Sequence, residues 1–235
     1  MLSLGVNLKN LIIFGASSFA EIANSYFKKS NFKVIAHLVD AEYMPSDFST
    51  LLDTPVYAID SEQGQTAIGL ASHFYVAATY TKMNRVRTDK FLYLKSLGLR
   101  PASYVSPLAF VDENVILGEH VFIFENNVLQ YGVTVGNNCV LWSGNHIGHH
   151  STISENVFVS SHVVISGHVV IGKNSFLGVN SSIYNNVIIG EDNWISPNCV
   201  IDRTTADNSL FRIPGTKVHS VAPLEFFNVD GISTK

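Results

Sequence analysis

The chain has 235 residues, of which 46% are hydrophobic and only 14% charged, against roughly 25% charged in an ordinary soluble domain. Fifteen Lys and Arg face nineteen Asp and Glu for a net charge of −4, so no basic excess exists to neutralise phosphates or an anionic membrane, and neither nucleic-acid nor membrane binding is expected. The longest apolar runs, such as Leu11 to Phe14 and Phe74 to Ala78, are far short of the ~20 residues that span a bilayer. The N-terminus lacks a signal-peptide pattern, and two cysteines make no disulfide framework, so a cytoplasmic setting is expected.

In chain order, Leu11 to Phe14 reads as a buried strand, Gly15 as a turn, and Ser18 to Lys28 as a helix capped by Ser17 or Ser18. Phe32 to Val39 is a second strand ending at Asp40. A helix near Ser61 to Ala71, the strand Phe74 to Ala78 and a helix from Asn84 to Leu97 continue the alternation. This β/α order predicts a small Rossmann-like parallel sheet over residues 1–104, with the boundary near Arg100-Pro101.

From Val111 a different period takes over. Every sixth residue, from Val111 and Leu117 to Ile195 and Ile201, is Val, Ile or Leu, at all sixteen positions of the series. With these as position one, position four reads Asn, His, Gly or Asp at every repeat but the last, Thr204. Those residue types tolerate positive φ best, so one left-handed turn residue per repeat is predicted. Six is the period of a short strand plus a turn, and it predicts a solenoid over residues 105–206, followed by an irregular tail, 207–235. Four of the six solenoid histidines, His120, His150, His162 and His168, hold position four and read as turn residues. His146 sits on a strand. His149 alone occupies position three, the tip of a turn.

The repeat resembles that of the hexapeptide, left-handed β-helix acyltransferases. With the N-terminal sheet it is similar to one branch of them, the UDP-4-amino-sugar N-acetyltransferases and sialic acid O-acetyltransferases. The resemblance implies a left-handed parallel β-helix of three hexapeptides per coil, so residues eighteen apart stack. It further implies an acetyl-CoA-dependent N-acetyltransferase acting on a nucleotide-linked amino sugar, assembled as a homotrimer and set in a glycan pathway. The family motif, roughly Ile-Asn-His-Asp-Cys, corresponds to Ile147-Gly148-His149-His150-Ser151 and makes His149 the general base. An amine attacking a thioester must lose a proton, and imidazole exchanges protons near neutral pH. Gly167, one coil along at the same corner, is the expected backbone donor to the oxyanion. His150 stands where the family has an orienting carboxylate, and Phe158 where it often has a second histidine, so a more apolar acetyl-CoA pocket is expected there.

The remaining site residues follow from the same resemblance. Acetyl-CoA is expected along Ser161, Val179 and Pro197, with Phe158. The nucleotide sugar is expected at the turn Gly15-Ala16-Ser17, with Asp40 and Arg85. One glycine remains of the family's two or three, so a sheet that only spaces the subunits is the alternative. The outward stripe Phe122, Val140, Phe158, Phe176, Trp194, each eighteen apart, predicts an interface between copies. Rival readings are sugar O-acetylation, a metal-dependent hydrolyase or carbonic anhydrase using His150 and His168 with His162 or a neighbouring subunit, and a non-catalytic scaffold. Turn propensity explains those histidines more simply, so no metal is expected. Cys139 and Cys199 lie roughly 16 Å apart along the solenoid axis, too far for a disulfide.

Overall fold

The computed structural model describes residues 8–47, 49–227 and 229. Strands β1 (Lys9–Phe14), β2 (Phe32–Val39), β3 (Thr50–Leu51), β4 (Thr54–Ala58), β5 (His73–Val76) and β6 (Arg100–Pro101) form one sheet in the order β3-β4-β2-β1-β5-β6. All its pairs are parallel except β3 with β4. Helices α1 (Ser18–Phe27), α2 (Glu62–Leu70) and α3 (Arg85–Ser96) fill the crossovers. Alternate residues of β1 face opposite layers: Leu11 and Ile13 pack with Phe19, Ala23 and Phe27 of α1, and Ile12 and Phe14 with Ala67 of α2 and Leu94 of α3. The short β3–β4 hairpin is an addition to the expected pattern, with Pro55 inside β4 opposite Thr50.

From Tyr104 to Phe211, eighteen two-residue strands build three parallel sheets of seven, six and five strands, the left-handed parallel β-helix that the hexapeptides imply. Residues eighteen apart pair, as Phe122 with Val140 and Phe158 with Phe176. Position-one aliphatics fill the interior, together with Val133, Cys139, Val157 and other position-five residues. Both cysteines are free and buried. The strand Leu210–Phe211 pairs with Trp194–Ile195, so part of the expected irregular tail continues the solenoid after the hexapeptide pattern stops. Positive φ occurs at position four from His120 to Asn198 without a break, including Gly132 and Gly144. Only the two end repeats, Asn114 and Thr204, depart from it; neither has a complete coil on both sides.

Each coil is a triangle, and one of its three faces is covered by the chain's own N-terminal part. Phe122, Val140, Phe158 and Phe176 are buried, and Trp194 is half-buried, beneath Phe19, Tyr26, Phe27, Tyr75 and Tyr80. The expected interface between copies is therefore an interface within one chain. The period reveals an apolar stripe but carries no information about its cover; a tethered sheet bearing complementary aromatics supplies it. The other two faces keep Ile116, Val164, Val170, Ile188 and Val200 exposed.

The same junction has a polar seam along the corner of His120, Asn138, Asn156, Asn174 and Asp192. Asn138 Nδ2 donates to Asn156 Oδ1 and Asn156 Nδ2 to Asn174 Oδ1. Arg87, fully buried, donates to the carbonyls of Asn138, Asn156 and Thr79 at 3.2, 3.0 and 2.6 Å and to Asn84 Oδ1 at 3.0 Å. Asn84 in turn donates to the carbonyl of Asn174. Burial lowers the Arg87 pKa to about 10, which leaves it cationic at neutral pH with only dipoles around it. His120 accepts the Val76 N–H at Nε2 and contacts Asn138 Oδ1 through Nδ1, both at 2.8 Å, and stacks on Tyr75.

Burial pushes the His120 pKa down to about 3, and burial also lowers that of His37. His120 is neutral in the fold and free to protonate when unfolded, and His37 shifts in the same direction, so the unfolded chain binds more protons below the ordinary histidine pKa of about 6.5. Their stabilising contribution is complete above that pH and is lost as pH falls below it. His120 alone lowers unfolding free energy by about 2 kcal/mol between pH 8 and pH 5. Denaturant unfolding at the two pH values checks this: His120→Asn, which keeps the turn, is expected to flatten the difference. An unchanged difference would contradict it.

Candidate active site

Two places gather the polar groups singled out in the sequence. The first is a cleft of about 660 Å³ at the carboxyl ends of β1, β2 and β5, lined by Gly15, Ala16, Ser17, Asp40, Thr79 and Lys90 among others. The strand order reverses between β1 and β5, and open parallel sheets bind ligands at such a switch point. Gly15 is held there closely. Its φ is +126°, its N–H donates to the Leu38 carbonyl, and a Cβ at this position would lie 3.0 Å from the Ala77 carbonyl oxygen. Its own carbonyl is fixed by buried His37, 2.9 Å away through Nδ1, while His37 Nε2 contacts Asn24 Nδ2 at 2.8 Å. Ser17, the N-cap of α1, makes no side-chain cap hydrogen bond and lines the cleft. Asp40 pairs with Lys90 across it. Arg85 lies outside the cleft. It pairs with Asp192 of the solenoid at 2.5 Å, because α3 docks its first turn on the polar seam.

The second place is the corner of His149. Its ring is exposed, and the main chain of this corner is tied coil to coil: His150 N–H to the Tyr131 carbonyl, His168 N–H to that of His149, Asn186 N–H to that of Gly167. The His149 ring folds back over Gly167, where a Cβ would stand 2.7 Å from its Cε1 and 2.8 Å from its Nε2. Only glycine leaves the ring this seat. His149 Nδ1 lies 3.1 Å from Nδ1 of His150. The tautomer in which His149 Nδ1–H donates along that contact leaves Nε2 with its lone pair, directed at the space over Gly167.

The amides at this corner differ in one respect. That of His149 donates to Gln130 Oε1 at 3.0 Å, nineteen residues earlier. The residue nineteen before Gly167 is Gly148, which has no side chain to offer, and the Gly167 N–H has no acceptor among the described residues. Gly148 is itself obligatory: a Cβ there would lie 2.5 Å from the Ser166 carbonyl carbon and 2.7 Å from the Gly167 nitrogen. Its place in the motif was visible in the sequence; its effect, an unoccupied amide one coil above, emerges only from the stacking.

The expected acetyl-CoA positions divide. Ser161, Val179 and Pro197 stack on one corner, linked by Asn180 N–H to the Ser161 carbonyl and Asn198 N–H to that of Val179; Val179 and Pro197 are exposed and Ser161 half-buried. That corner is separated from His149 by the face of His146 and Val164. Phe158 does not join them. It is buried on the covered face against Tyr80, Phe176 and Arg87, because position six there points into the junction. Arg87 and His120, which fasten the two parts, had no sequence signal beyond a helical arginine and a turn histidine.

Comparison with known proteins bears on both parts. The family described as Bacterial transferase hexapeptide (six repeats) matches residues 168–203, and Hexapeptide repeat of succinyl-transferase matches residues 114–148. No curated protein sequence matches the chain. Among solved structures, PerB from Caulobacter crescentus in complex with CoA and GDP-perosamine is 21% identical, with a TM-score of 0.76 over 89% of this chain and 95% of that one. The acetyltransferase domain of PglB from Neisseria gonorrhoeae, in complex with acetyl coenzyme A, is 16% identical, with a TM-score of 0.73 over 86% of this chain and 95% of that one. WeeI from Acinetobacter baumannii is also 16% identical, with a TM-score of 0.58 over the same shares. Each likeness spans most of the chain and shows a shared fold. Among the described residues no helix is long and apolar enough to cross a membrane.

Proposed function

We propose that the chain is an acetyl-CoA-dependent N-acetyltransferase acting on a nucleotide-linked amino sugar. The observation that carries this reading is the His149 ring seated over Gly167 beside an amide without an acceptor. Acyl transfer needs a proton acceptor and an oxyanion donor at one place, and in this reading His149 is the first and the Gly167 N–H the second. In this reading the sugar amine attacks the thioester carbonyl carbon and gives its proton to His149 Nε2. The tetrahedral oxyanion accepts the Gly167 N–H. The C–S bond then breaks, and the departing thiolate takes a proton as the amide product forms. His150 Nδ1 holds His149 in the required tautomer, the role a carboxylate has in the resembled family.

The nucleotide end fits the switch-point cleft, with α1 amides for phosphate and Asp40 for a ribose or base donor. The Ser161 corner and the cleft are both remote from His149 within one chain, since α3 docks the cleft's wall on the Asn138–Asn156 corner. A complete site therefore takes more than one copy, and the exposed aliphatics of the two uncovered faces support a homotrimer. Thiol release from acetyl-CoA in the presence of UDP-, TDP- and GDP-linked amino sugars tests the reading. Release is expected with an amine and not with the matching hydroxyl sugar. Equal release with the hydroxyl sugar would make it an O-acetyltransferase, and no release with any amino sugar would contradict it.

A further inference from the structure

The corner that carries His149 holds two more imidazoles, brought together by the coil and not by the chain order. His168 stands one coil above His150, and their rings lie parallel, 10° apart in plane with centroids 5.0 Å apart. His149 meets both edge-on, at 5.3 and 5.0 Å. All three are exposed, and one ring nitrogen from each lies within 4.8 Å of the other two. The Nδ1 atoms of His149 and His150 are 3.1 Å apart. Turn geometry alone does not ask for this. The positive φ at His168 is met by asparagine at Asn156, Asn174 and Asn186, so a permissive residue is required there but an imidazole is not.

We propose that His149, His150 and His168 form a reversible site for one zinc-class divalent cation, whose occupancy and the use of His149 as a base exclude each other. Imidazole nitrogens on a tetrahedral zinc, each about 2.0–2.1 Å from the metal, stand roughly 3.3 Å from one another. The widest separation in the cluster exceeds that by about 1.5 Å, which rotation of exposed side chains about χ1 and χ2 closes. The coils at Tyr131-Gly132, His149-His150 and Gly167-His168 place no carboxylate at this corner, so calcium and magnesium, which need oxygen ligands, have nothing to hold them. Three imidazoles leave a fourth position to water, as in open zinc sites. His162, considered in the sequence as a fellow ligand, stands on another corner. A neutral imidazole has a single in-plane lone pair: a cation on Nε2 takes it directly, and one on Nδ1 leaves the proton on Nε2, so a metal-bound His149 accepts no amine proton either way; this inhibitory half rests on the proposed function, while binding does not.

Equilibrium dialysis of the untagged chain against micromolar zinc is the first test. One zinc per chain is expected, released by a chelator, with affinity at least about tenfold lower in His168→Asn, which keeps the turn and both other imidazoles. Cobalt(II) in place of zinc is expected to give the visible absorption of a low-coordinate imidazole site, lost in the same variant. No bound zinc, or equal affinity in wild type and His168→Asn, would overturn the site. Zinc is further expected to suppress thiol release by the wild type, with recovery on chelation, and His168→Asn, relative to its own metal-free rate, to need at least about tenfold more zinc. If zinc binds through His168 and transfer is untouched, the metal site stands and the assignment of His149 as base falls.

Discussion

A His149→Asn chain is expected to lose about 10²–10⁴-fold in kcat while its Tm and its binding of acetyl-CoA stay close to wild type. The separation of effects follows from the place of the residue. Its ring is exposed and contributes little to packing, whereas the hydrogen bonds of residue 149 that hold the coils, N–H to Gln130 and carbonyl to the His168 amide, are main-chain donors and acceptors that asparagine retains. Asparagine also suits a solenoid turn. It cannot take up an amine proton, so the loss falls on the chemical step, and KM for either substrate changes little. His219→Asn, in the exposed tail after the solenoid, is the control and is expected to keep its rate. Steady-state kinetics with a folded His149→Asn chain that keeps more than roughly a tenth of the wild-type kcat would remove His149 from the base role.

Arg87→Leu is expected to destabilise the chain by about 3 kcal/mol or more, seen as a fall in Tm on the order of 6–12 °C. Leucine fills part of the volume but leaves the carbonyls of Thr79, Asn138 and Asn156 buried without the donor each has now. An unsatisfied buried acceptor costs about 1–3 kcal/mol, and three are exposed to that loss together, offset by removal of a buried charge. Arg87→Lys keeps the charge but is expected to restore little. A single ammonium does not span acceptors on two successive coils, as a planar guanidinium does. Because the acceptors belong to both the helix side and the solenoid side, the N-terminal sheet is expected to melt first, followed by tryptophan fluorescence of Trp142 and Trp194 near the junction. A thermal melt of Arg87→Leu matching wild type would show that the seam does not fasten the two parts.

The sequence was most legible where one physical rule repeats. Sixteen aliphatics at a period of six and a left-handed residue at position four each state the same triangular coil, and the coil obeys them from His120 to Asn198. The β/α alternation of the first hundred residues was legible for the same reason, strand and helix each carrying its own period. What was not legible is what two periodic parts do to one another. The Phe122–Trp194 stripe reads as an exposed face in the solenoid taken alone, and only the docking of Phe19, Phe27 and Tyr75 turns it into a core. Arg85, expected at the nucleotide sugar, pairs with Asp192, and Phe158, expected beside acetyl-CoA, is buried against Tyr80 and Phe176; neither contact has a signal in the local pattern. His149 was found by its odd position and its motif. The bare amide of Gly167, by contrast, depends on the absence of a side chain at Gly148 one coil below, a relation across nineteen residues that no local pattern announces.

Transfer in the space between His149 and Gly167 is read directly by a crystal structure with a non-transferable acetyl-CoA analogue and a nucleotide-linked amino sugar. The acyl oxygen is expected at hydrogen-bond distance, about 3 Å, from the Gly167 nitrogen, and the sugar amine at about the same distance from His149 Nε2. An acyl carbon bound at any other corner of the coil, with the His149 ring facing only solvent, would contradict it.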